Sequence, residues 1–325
     1  MKTIASTFGG FAVVAAFALP SQAAADCGEI TITDMDWASA ALITSVSSFL
    51  MENGYGCQVT KIPSSTVPAL TSISETGKPD IATEIWVNSA PEIYAKLTEA
   101  GKIVTATSVL EDGGVEAWWI PDYLAKEHPE LTTISGILAN PELVGGRFHN
   151  CPEGWGCRVV NDNLKVALGL EDTGLEVFDH GSGETLATSI GAAFADKQPW
   201  FGYYWAPTAI LGKYPMVQVD IGEFNADIHT CNADSGCETP GISAYPAASV
   251  VTIVTSDLAK DRPEIFELMS NVSFSNETMN TILAWREDNN ATADEAAVYF
   301  LTNYPDVWKD WINKNAQEKL SALLK

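Results

Sequence analysis

The sequence predicts an α/β fold, because segments with strand character and segments with helix character alternate along most of its length. No internal repeat and no low-complexity tract interrupts this alternation. The predicted strands span 29–33, 58–62, 81–87, 116–120, 200–205 and 249–255. The predicted helices span 39–53, 66–76, 91–100, 185–196 and 262–270, and the tail from Ala293 is largely helical.

Individual elements follow from periodicity and from their start and stop signals. Apolar residues recur at helical spacing through 39–53, and Gly54 follows as a helix stop. Pro263 opens the helix 262–270, because proline suits the first helical turn. The strand 249–255 is almost wholly apolar, which is typical of a buried position in a sheet.

The first residues predict an export signal that is removed from the mature protein. Lys2 gives a weakly positive start, and the apolar run at 8–19 is too short to span a bilayer. The small residues at 23–25 then offer a cleavage site, so we expect cleavage near Ala25 and a soluble, periplasmic mature chain. Asp26 argues against a lipoprotein signal, because such signals have a small residue immediately before the cysteine, here Cys27.

The cysteines predict disulfide bonds. All six cysteines lie in the mature chain, and an even count in an exported protein indicates disulfides. They fall into neighbouring pairs along the sequence, and neighbour pairing is our preference although other pairings are open. Zinc binding is less favoured, because no CxxC motif occurs. The cysteines are Cys27, Cys57, Cys151, Cys157, Cys231 and Cys237.

The formal net charge of −24 at pH 7 excludes some classes of function. It excludes a nucleic-acid binder on electrostatic grounds and disfavours anionic membrane surfaces. It mildly attracts cationic small molecules. We attribute most of it to a surface adapted to a salty habitat. Since no P-loop, GxGxxG, HExxH or GxSxG motif occurs either, the sequence gives no sign of an enzyme.

The segment 220–238 concentrates acidic and amide side chains around the third cysteine pair. Such a density of oxygen ligands could hold a structural calcium ion, although the spacing is not that of an EF-hand. A solvated loop is the default interpretation. No other cofactor is expected. The candidate calcium ligands are Asp220, Glu223, Asn225, Asp227, Asn232, Asp234 and Glu238.

Tryptophans stand where predicted elements end. Trp86 ends the strand 81–87, and alternation of side chains places Glu84 on the same face. Trp205 ends the strand 200–205, and Trp37 follows the first strand. Ligands of open α/β sheets bind beyond such strand ends. Core packing remains the alternative for any single tryptophan.

The segment 151–157, with the sequence CPEGWGC, presents a further tryptophan. Its glycines allow a ligand to approach the peptide N–H groups closely. If the two cysteines pair, the loop holds Trp155 rigidly; a stapled turn with a core tryptophan is the alternative. On the strand 116–120, Trp118 and Trp119 face opposite ways, and we assign Trp119 to the site.

Together these aromatic faces predict a cage for a quaternary ammonium group. Such cages bind methylated ammonium through cation–π attraction, worth about 0.5–2 kcal/mol per ring. A methylated ammonium group cannot donate a strong hydrogen bond, so the faces of rings suit it better than carboxylates alone.

The sequence resembles the glycine betaine/proline betaine-binding proteins of osmoprotectant ABC importers from about Ile30 to the C-terminus. The motifs that carry the resemblance are Ile85-Trp86, CPEGWGC at 151–157 and FGYYWAP at 201–207. It implies a two-lobed periplasmic binding protein of type II, each lobe a mixed sheet flanked by helices, which closes by a hinge.

The resemblance also implies roles for particular residues. Trp86, Trp155 and Trp205 would form the cage, a disulfide would bridge 151–157, and the amides of Gly156 and Cys157 would receive a betaine carboxylate. The family often has a histidine four residues after the first tryptophan; this chain has Ala90 there.

That departure shifts the expected ligand away from a carboxylate. Glu84 or Glu116 could accept a hydrogen bond from choline's hydroxyl or from protonated trimethylamine N-oxide. For Glu84, exposure to water or pairing with a lysine is an equally favoured alternative. The ligands considered are trimethylamine N-oxide, choline, glycine betaine and dimethylsulfoniopropionate.

The sequence therefore predicts a signal peptide at 1–25, one lobe formed by 26–116 with 250–325, and a second formed by 117–249. We expect a monomeric solute-binding protein that docks on an inner-membrane permease. An exported hydrolase acting on sugars, whose rings would also stack on tryptophans, is the competing class. A purely structural secreted domain with core tryptophans is the third.

Overall fold

The computed structural model describes residues 27–324, which form two sheets flanked by helices. The predicted signal peptide lies outside the described residues. The strands are β1 Gly28–Met35, β2 Cys57–Ser64, β3 Ile81–Trp86, β4 Ile103–Ser108, β5 Gly114–Pro121, β6 Arg147–Asn150, β7 Glu176–Asp179, β8 Gly202–Ala206, β9 Met216–Gln218, β10 Ala247–Ala248 and β11 Val250–Thr255.

Helices lie between most of these strands. They are α1 Ala38–Leu50, α2 Thr66–Thr76, α3 Pro91–Glu99, α4 Asp122–Glu127, α5 Ile134–Ala139, α6 Gly156–Leu168, α7 Gly183–Asp196, α8 Ala209–Lys213, α9 Ala226–Asn232, α10 Ser256–Asp261, α11 Pro263–Asn271, α12 Asn276–Asp288, α13 Ala293–Asn303, α14 Pro305–Trp308 and α15 Lys314–Leu323. No helix in the described range 27–324 is long and apolar enough to cross a membrane.

The first sheet has the order β2-β1-β3-β11-β4. Strands β1, β2 and β3 run parallel, whereas β11 is antiparallel to both of its neighbours. All six residues of β3 and all six of β11 are buried, which explains why β11 is almost wholly apolar. We call this sheet and the helices packed on it lobe 1; α13 packs against α1 and so joins lobe 1.

The second sheet has the order β10-β5-β8-β6-β7. Strand β9 pairs with the C-terminal part of β5, at residues 119–121. Its core contains Trp118, whose ring centroid lies 4.5 Å from that of Phe148 and 5.6 Å from that of Phe201. We call this sheet and its helices lobe 2. Ser182 begins α7 with a capping box in which its hydroxyl accepts the N–H of Thr185.

The chain passes between the two sheets twice. It leaves the first sheet after Ser108 and enters the second at Gly114, then returns between Ala248 and Val250. The predicted lobe divisions at 116/117 and 249/250 fall inside β5 and within the return connection. The expected crossing strand 116–120 is part of β5 and lies wholly in the second sheet.

Most predicted elements are present, with small differences at their ends. The helix at 66–76 has its predicted bounds, while the predicted helix 39–53 ends at Leu50 and continues as a wider turn at Met51–Tyr55. The six cysteines form three disulfides between sequence neighbours, Cys27–Cys57, Cys151–Cys157 and Cys231–Cys237, so the preferred pairing is confirmed.

Candidate functional site

A cavity with about 300 Å³ of empty space lies between the lobes. Both lobes contribute to its wall, and seven of the predicted ligand-binding residues are among the residues that line it. The lining residues are Trp37, Thr66, Trp86, Ser89, Glu116, Trp155, Gly156, Cys157, Tyr203 and Trp205.

Lobe 1 supplies two of the indoles. Trp37 lies between β1 and α1, and Trp86 is the last residue of β3. Strands β1 and β3 are parallel neighbours, so their carboxyl ends meet at one edge of the sheet. The two rings therefore approach the cavity from the same side.

Lobe 2 supplies the other two. Trp155 precedes α6, and Trp205 lies near the end of β8. The ring of Trp155 stands edge-on between two others, 5.0 Å from Trp37 and 5.1 Å from Trp205 between centroids. The contact with Trp37 joins indoles of different lobes, so the set is complete only when the lobes are together.

The site is almost sealed from water. The four indoles Trp37, Trp86, Trp155 and Trp205 are 4%, 7%, 5% and 5% exposed. Exclusion of water matters because cation–π attraction is strongest where the cation loses its hydration. The arrangement can therefore hold a small cation whose surface is apolar.

Glu84 occupies a place that differs from the predicted one. It is fully buried and not among the lining residues. Its Oε1 atom accepts hydrogen bonds from Trp37 Nε1 at 2.6 Å, Ser39 Oγ at 2.9 Å and Trp86 Nε1 at 3.3 Å. Glu84 therefore does not line the cavity as predicted, and the alternatives of exposure or a lysine partner are wrong.

The reason lies in the local backbone of β3. Glu84 has a φ of +53°, and the pairing of β3 with β11 shifts register at this point, so the regular alternation on which the prediction relied does not hold. The indole rings reach the cavity, while the carboxylate bonds to their N–H groups. Burial raises the pKa of Glu84 to about 7, although its three hydrogen bonds act in the opposite direction.

Glu116 is the acid that lines the cavity. It is 4% exposed, and its carboxylate accepts hydrogen bonds from Tyr203 OH at 2.6 Å, from Ser89 Oγ at 2.9 Å and from Asn88 Nδ2. Ser89 and Asn88 follow β3 in lobe 1, whereas Tyr203 lies in β8, so Glu116 joins the lobes. Burial raises its pKa despite these donors.

Backbone amides offer a second kind of polar contact. Gly156 and Cys157 are the first residues of α6, and both line the cavity. The first N–H groups of a helix have no partner within the helix and favour negative charge. The disulfide Cys151–Cys157 closes the loop that carries Trp155 into this position.

The assignment of Trp119 to the site is wrong. Its neighbour Trp118 pairs with Tyr203, and Glu116 pairs with Trp205, so those four side chains share the face of the sheet that carries the cavity. Trp119 points to the opposite face, where its indole N–H bonds to the carbonyl oxygen of Tyr204 at 3.0 Å. Alternation along the strand predicts that Trp118 and Trp119 point to opposite faces, but it does not say which of the two faces the cavity.

The acidic side chains among the predicted calcium ligands do not cluster. In the part of the chain that the structure describes, no group of three or more acidic, histidine or cysteine side chains is placed to hold a metal ion. Several of the predicted ligands are used locally: Asn225 caps α9, Asn232 bonds to Gly241, and Asp234 accepts the N–H of Gly236. The acidic segment consists of the short helix α9 with turns and irregular chain on either side.

Sequence reasoning missed four residues of the site. Thr66, Ser89 and Tyr203 line the cavity, and Asp36 accepts the indole N–H of Trp155. Tyr203 was detectable, since it alternates onto the face of Trp205. The others depend on how the two lobes meet, which no local pattern encodes.

Comparison with known proteins identifies a family. The sequence profile described as the substrate binding domain of ABC-type glycine betaine transport systems (OpuAC) matches residues 28–303. An ABC-transporter choline binding protein in complex with choline superimposes with a TM-score of 0.73 at 18% identity, covering 92% of this chain and 99% of that chain.

Two further solved structures are similar. The glycine betaine, L-proline-binding protein ProX of Borrelia burgdorferi gives a TM-score of 0.73 at 17% identity, covering 90% of this chain and 99% of that one. Lactococcal OpuAC, closed on glycine betaine, gives 0.69 at 16% identity, covering 88% and 100%. Such identities show the fold alone, and the predicted two-lobed binding-protein fold is confirmed.

Proposed function

Since this chain belongs to the family of substrate-binding domains of ABC-type glycine betaine transport systems, we propose that it captures a methylated ammonium compound in the periplasm and delivers it to a membrane permease. The family serves transport and is not a family of enzymes, so a sugar hydrolase is not favoured. The observation that carries the proposal is the convergence of four indoles on one sealed cavity.

The indoles suit the methylated end of the ligand. Trp37 and Trp86 form one wall, and Trp155 and Trp205 form the other. At about 0.5–2 kcal/mol per ring, four rings supply several kcal/mol. Micromolar affinity needs about 8 kcal/mol, so cation–π attraction and burial of the methyl groups together make it attainable.

Glu116 suits a ligand whose other end is a hydroxyl or an N-oxide. A buried carboxylate in the cavity wall accepts a hydrogen bond from choline's hydroxyl or from protonated trimethylamine N-oxide. The same carboxylate repels a second carboxylate at short range. Choline and trimethylamine N-oxide are therefore the favoured ligands.

Glycine betaine is the second candidate, and one observation favours it. The amides of Gly156 and Cys157 begin the 13-residue helix α6 at the cavity wall. A helix N-terminus of this kind receives a carboxylate without a charged side chain. The two candidates differ in which polar group of the site, Glu116 or the α6 amides, meets the far end of the ligand.

The test is a titration of the purified mature protein with trimethylamine N-oxide, choline, glycine betaine and dimethylsulfoniopropionate. Heat and tryptophan fluorescence are both followed, since all four indoles lie at the site. We expect choline or trimethylamine N-oxide to bind at least tenfold more tightly than glycine betaine. Tighter binding of glycine betaine would assign the α6 amides to the ligand, and no binding of any of the four would overturn the proposed function.

A further inference from the structure

Glu84 has a backbone conformation that a strand residue rarely adopts. Its φ is +53°, in the left-handed region that costs a non-glycine residue about 1–3 kcal/mol. The pairing of β3 with β11 slips at the same point: Val251 pairs with Ile85, but Ile253 pairs with Ala82. Strand β3 thus contains one extra residue at this point, an irregularity called a β-bulge. Bulges often redirect side chains next to functional sites.

The redirected side chain connects two indoles from different segments. A single oxygen, Oε1, accepts both Trp37 Nε1 and Trp86 Nε1. Both tryptophans belong to lobe 1, so this linkage does not depend on closure of the lobes. Half of the cage is therefore held in place before lobe 2 arrives, which lowers the entropy cost of binding.

The carboxylate has no cationic partner. Its hydrogen-bond partners among the described residues are the two indoles and Ser39, and its Oε2 atom is buried without a partner. The helix α1 and the strand β11 that pack around it carry no titratable side chain. The acids nearest along the packed elements are Asp34 at the end of β1 and Asp36 after it, and Glu116 lies across the cavity.

We propose that Glu84 is a positioning residue of the ammonium site, fixing Trp37 and Trp86 through their N–H groups and placing a negative charge behind their rings. This inference rests on the proposed function and deepens it. The carboxylate polarises both indoles, and more electron density on their faces strengthens their attraction for a cation. The bound cation in turn offsets the cost of burying the charge.

A dependence on pH follows. Burial raises the pKa of Glu84 to about 7 in the ligand-free protein. A cation in the site favours the ionised form, so binding lowers that pKa and releases a proton. Affinity for a permanent cation is then low where Glu84 is protonated, rises with pH through 7 and levels off above it.

The first experiment needs neither a variant nor a ligand. The ¹⁵N-labelled mature protein is titrated from pH 5.5 to 8.5, and the indole N–H signals are followed by NMR. We expect the signals of Trp37 and Trp86 to move with one common midpoint near pH 7. Trp118 and Trp119 bond to neutral acceptors, Asn161 Oδ1 and a backbone carbonyl oxygen, and serve as internal controls that stay in place.

The second experiment measures binding of tetramethylammonium. This cation carries no hydroxyl, N-oxide or carboxylate, so its affinity reports only on the ammonium site. From pH 5.5 to 8.5 we expect affinity of the natural protein to rise about tenfold. Glu84→Gln, which keeps the shape of the side chain, should bind about tenfold more weakly at pH 8.5 and lose the pH slope. Glu111→Gln, at an exposed acid, is the control and should keep both the affinity and the slope. Glu116→Gln tests instead whether the acid in the cavity wall supplies the slope.

The outcomes separate this inference from the proposed function. Equal affinity of Glu84→Gln and the natural protein at pH 8.5, or loss of the slope in Glu116→Gln alone, overturns the role of Glu84 in binding. Stationary signals of Trp37 and Trp86 overturn the positioning role. If the signals titrate but the protein binds none of tetramethylammonium, choline, trimethylamine N-oxide and glycine betaine, the proposed function fails while the linkage of Glu84 to the indoles stands.

Discussion

Trp155 of lobe 2 donates its indole N–H to a carboxylate oxygen of Asp36 in lobe 1 at 2.7 Å. The same indole forms a wall of the cavity. A ligand that holds the ring of Trp155 in place therefore also holds the hydrogen-bond donor that joins the two lobes. We therefore expect capture of a ligand and closure of the cleft to be coupled through this side chain.

Removal of this contact should speed release of the ligand. Hydrogen bonds to charged groups contribute about 1.5–3 kcal/mol, so we expect Asp36→Ala to raise the dissociation rate about tenfold or more. Stopped-flow tryptophan fluorescence measures the rate. Asp34→Ala, two residues earlier in the chain, is the control and should leave it unchanged. An unaltered rate in Asp36→Ala would show that the contact does not hold the closed state.

Gly156 lies where lobe 2 is in close contact with lobe 1. A β-carbon added at this position would meet the carbonyl oxygen and the β-carbon of Ser89, in lobe 1, at 2.6 Å each. We expect Gly156→Ala to fold normally but to bind at least tenfold more weakly, because the lobes cannot close fully. At Gly181 an added β-carbon meets nothing within 4 Å, so Gly181→Ala is the matched control. Calorimetry measures both affinities, and equal values would contradict the expectation.

Variants of Trp205 and Trp119 distinguish a tryptophan of the cavity wall from a tryptophan of the core. Both are buried tryptophans of the same sheet, but only Trp205 lies on the face that carries the cavity. We expect Trp205→Leu to weaken binding of tetramethylammonium about tenfold and Trp119→Leu to change it less than twofold. Both variants should lose stability, since each removes buried ring surface. A comparable loss of affinity in Trp119→Leu would mean that the effect comes from stability.

Local patterns in the sequence predict the α/β class and most of the cage, whereas the two-lobed architecture is implied by the resemblance to betaine-binding proteins. Strand ends, aromatic residues and the CPEGWGC loop are visible without tertiary information, and Trp37, Trp86, Trp155 and Trp205 all line the cavity. The neighbour pairing of the cysteines, which the sequence left open to alternatives, is also confirmed.

What the sequence could not predict depends on orientation and on contacts between lobes. Alternation alone cannot say which of Trp118 and Trp119 faces the ligand. The bulge at Glu84 arises from strand pairing with β11 and has no local signature. Asp36 acquires its role only because lobe 2 brings Trp155 to it.

Glu116 should decide which end group the site accepts. Glu116→Gln removes the negative charge but keeps a carbonyl oxygen among the same donors. We expect binding of choline to weaken about tenfold, because a hydrogen bond to a carboxylate is stronger than one to an amide. Binding of glycine betaine should stay level or tighten, since the repulsion of its carboxylate is lost. Calorimetry at pH 8 compares the two ligands, and parallel losses for both would indicate a purely structural effect.

The charge of Glu84 should lower the stability of the ligand-free protein at neutral pH. Burial raises the pKa of this acid from 4.5 in its ordinary state to about 7 in the folded state. The folded state therefore binds more protons between these values, and its free energy of unfolding falls as pH rises from 4.5 to 7. Each unit of pKa shift corresponds to about 1.4 kcal/mol, so the full cost is about 3 kcal/mol.

Glu84→Gln removes that cost. We expect the ligand-free variant to unfold with a higher free energy than the natural protein at pH 8, by up to about 3 kcal/mol, and the difference to shrink towards zero near pH 4.5. Urea unfolding at several pH values measures it, and the exposed Glu111→Gln is the control that should show no such trend. A constant difference across this range would mean that Glu84 does not titrate there. If Glu84→Gln is more stable yet binds more weakly, the buried charge of Glu84 lowers the stability of the natural protein while it strengthens binding.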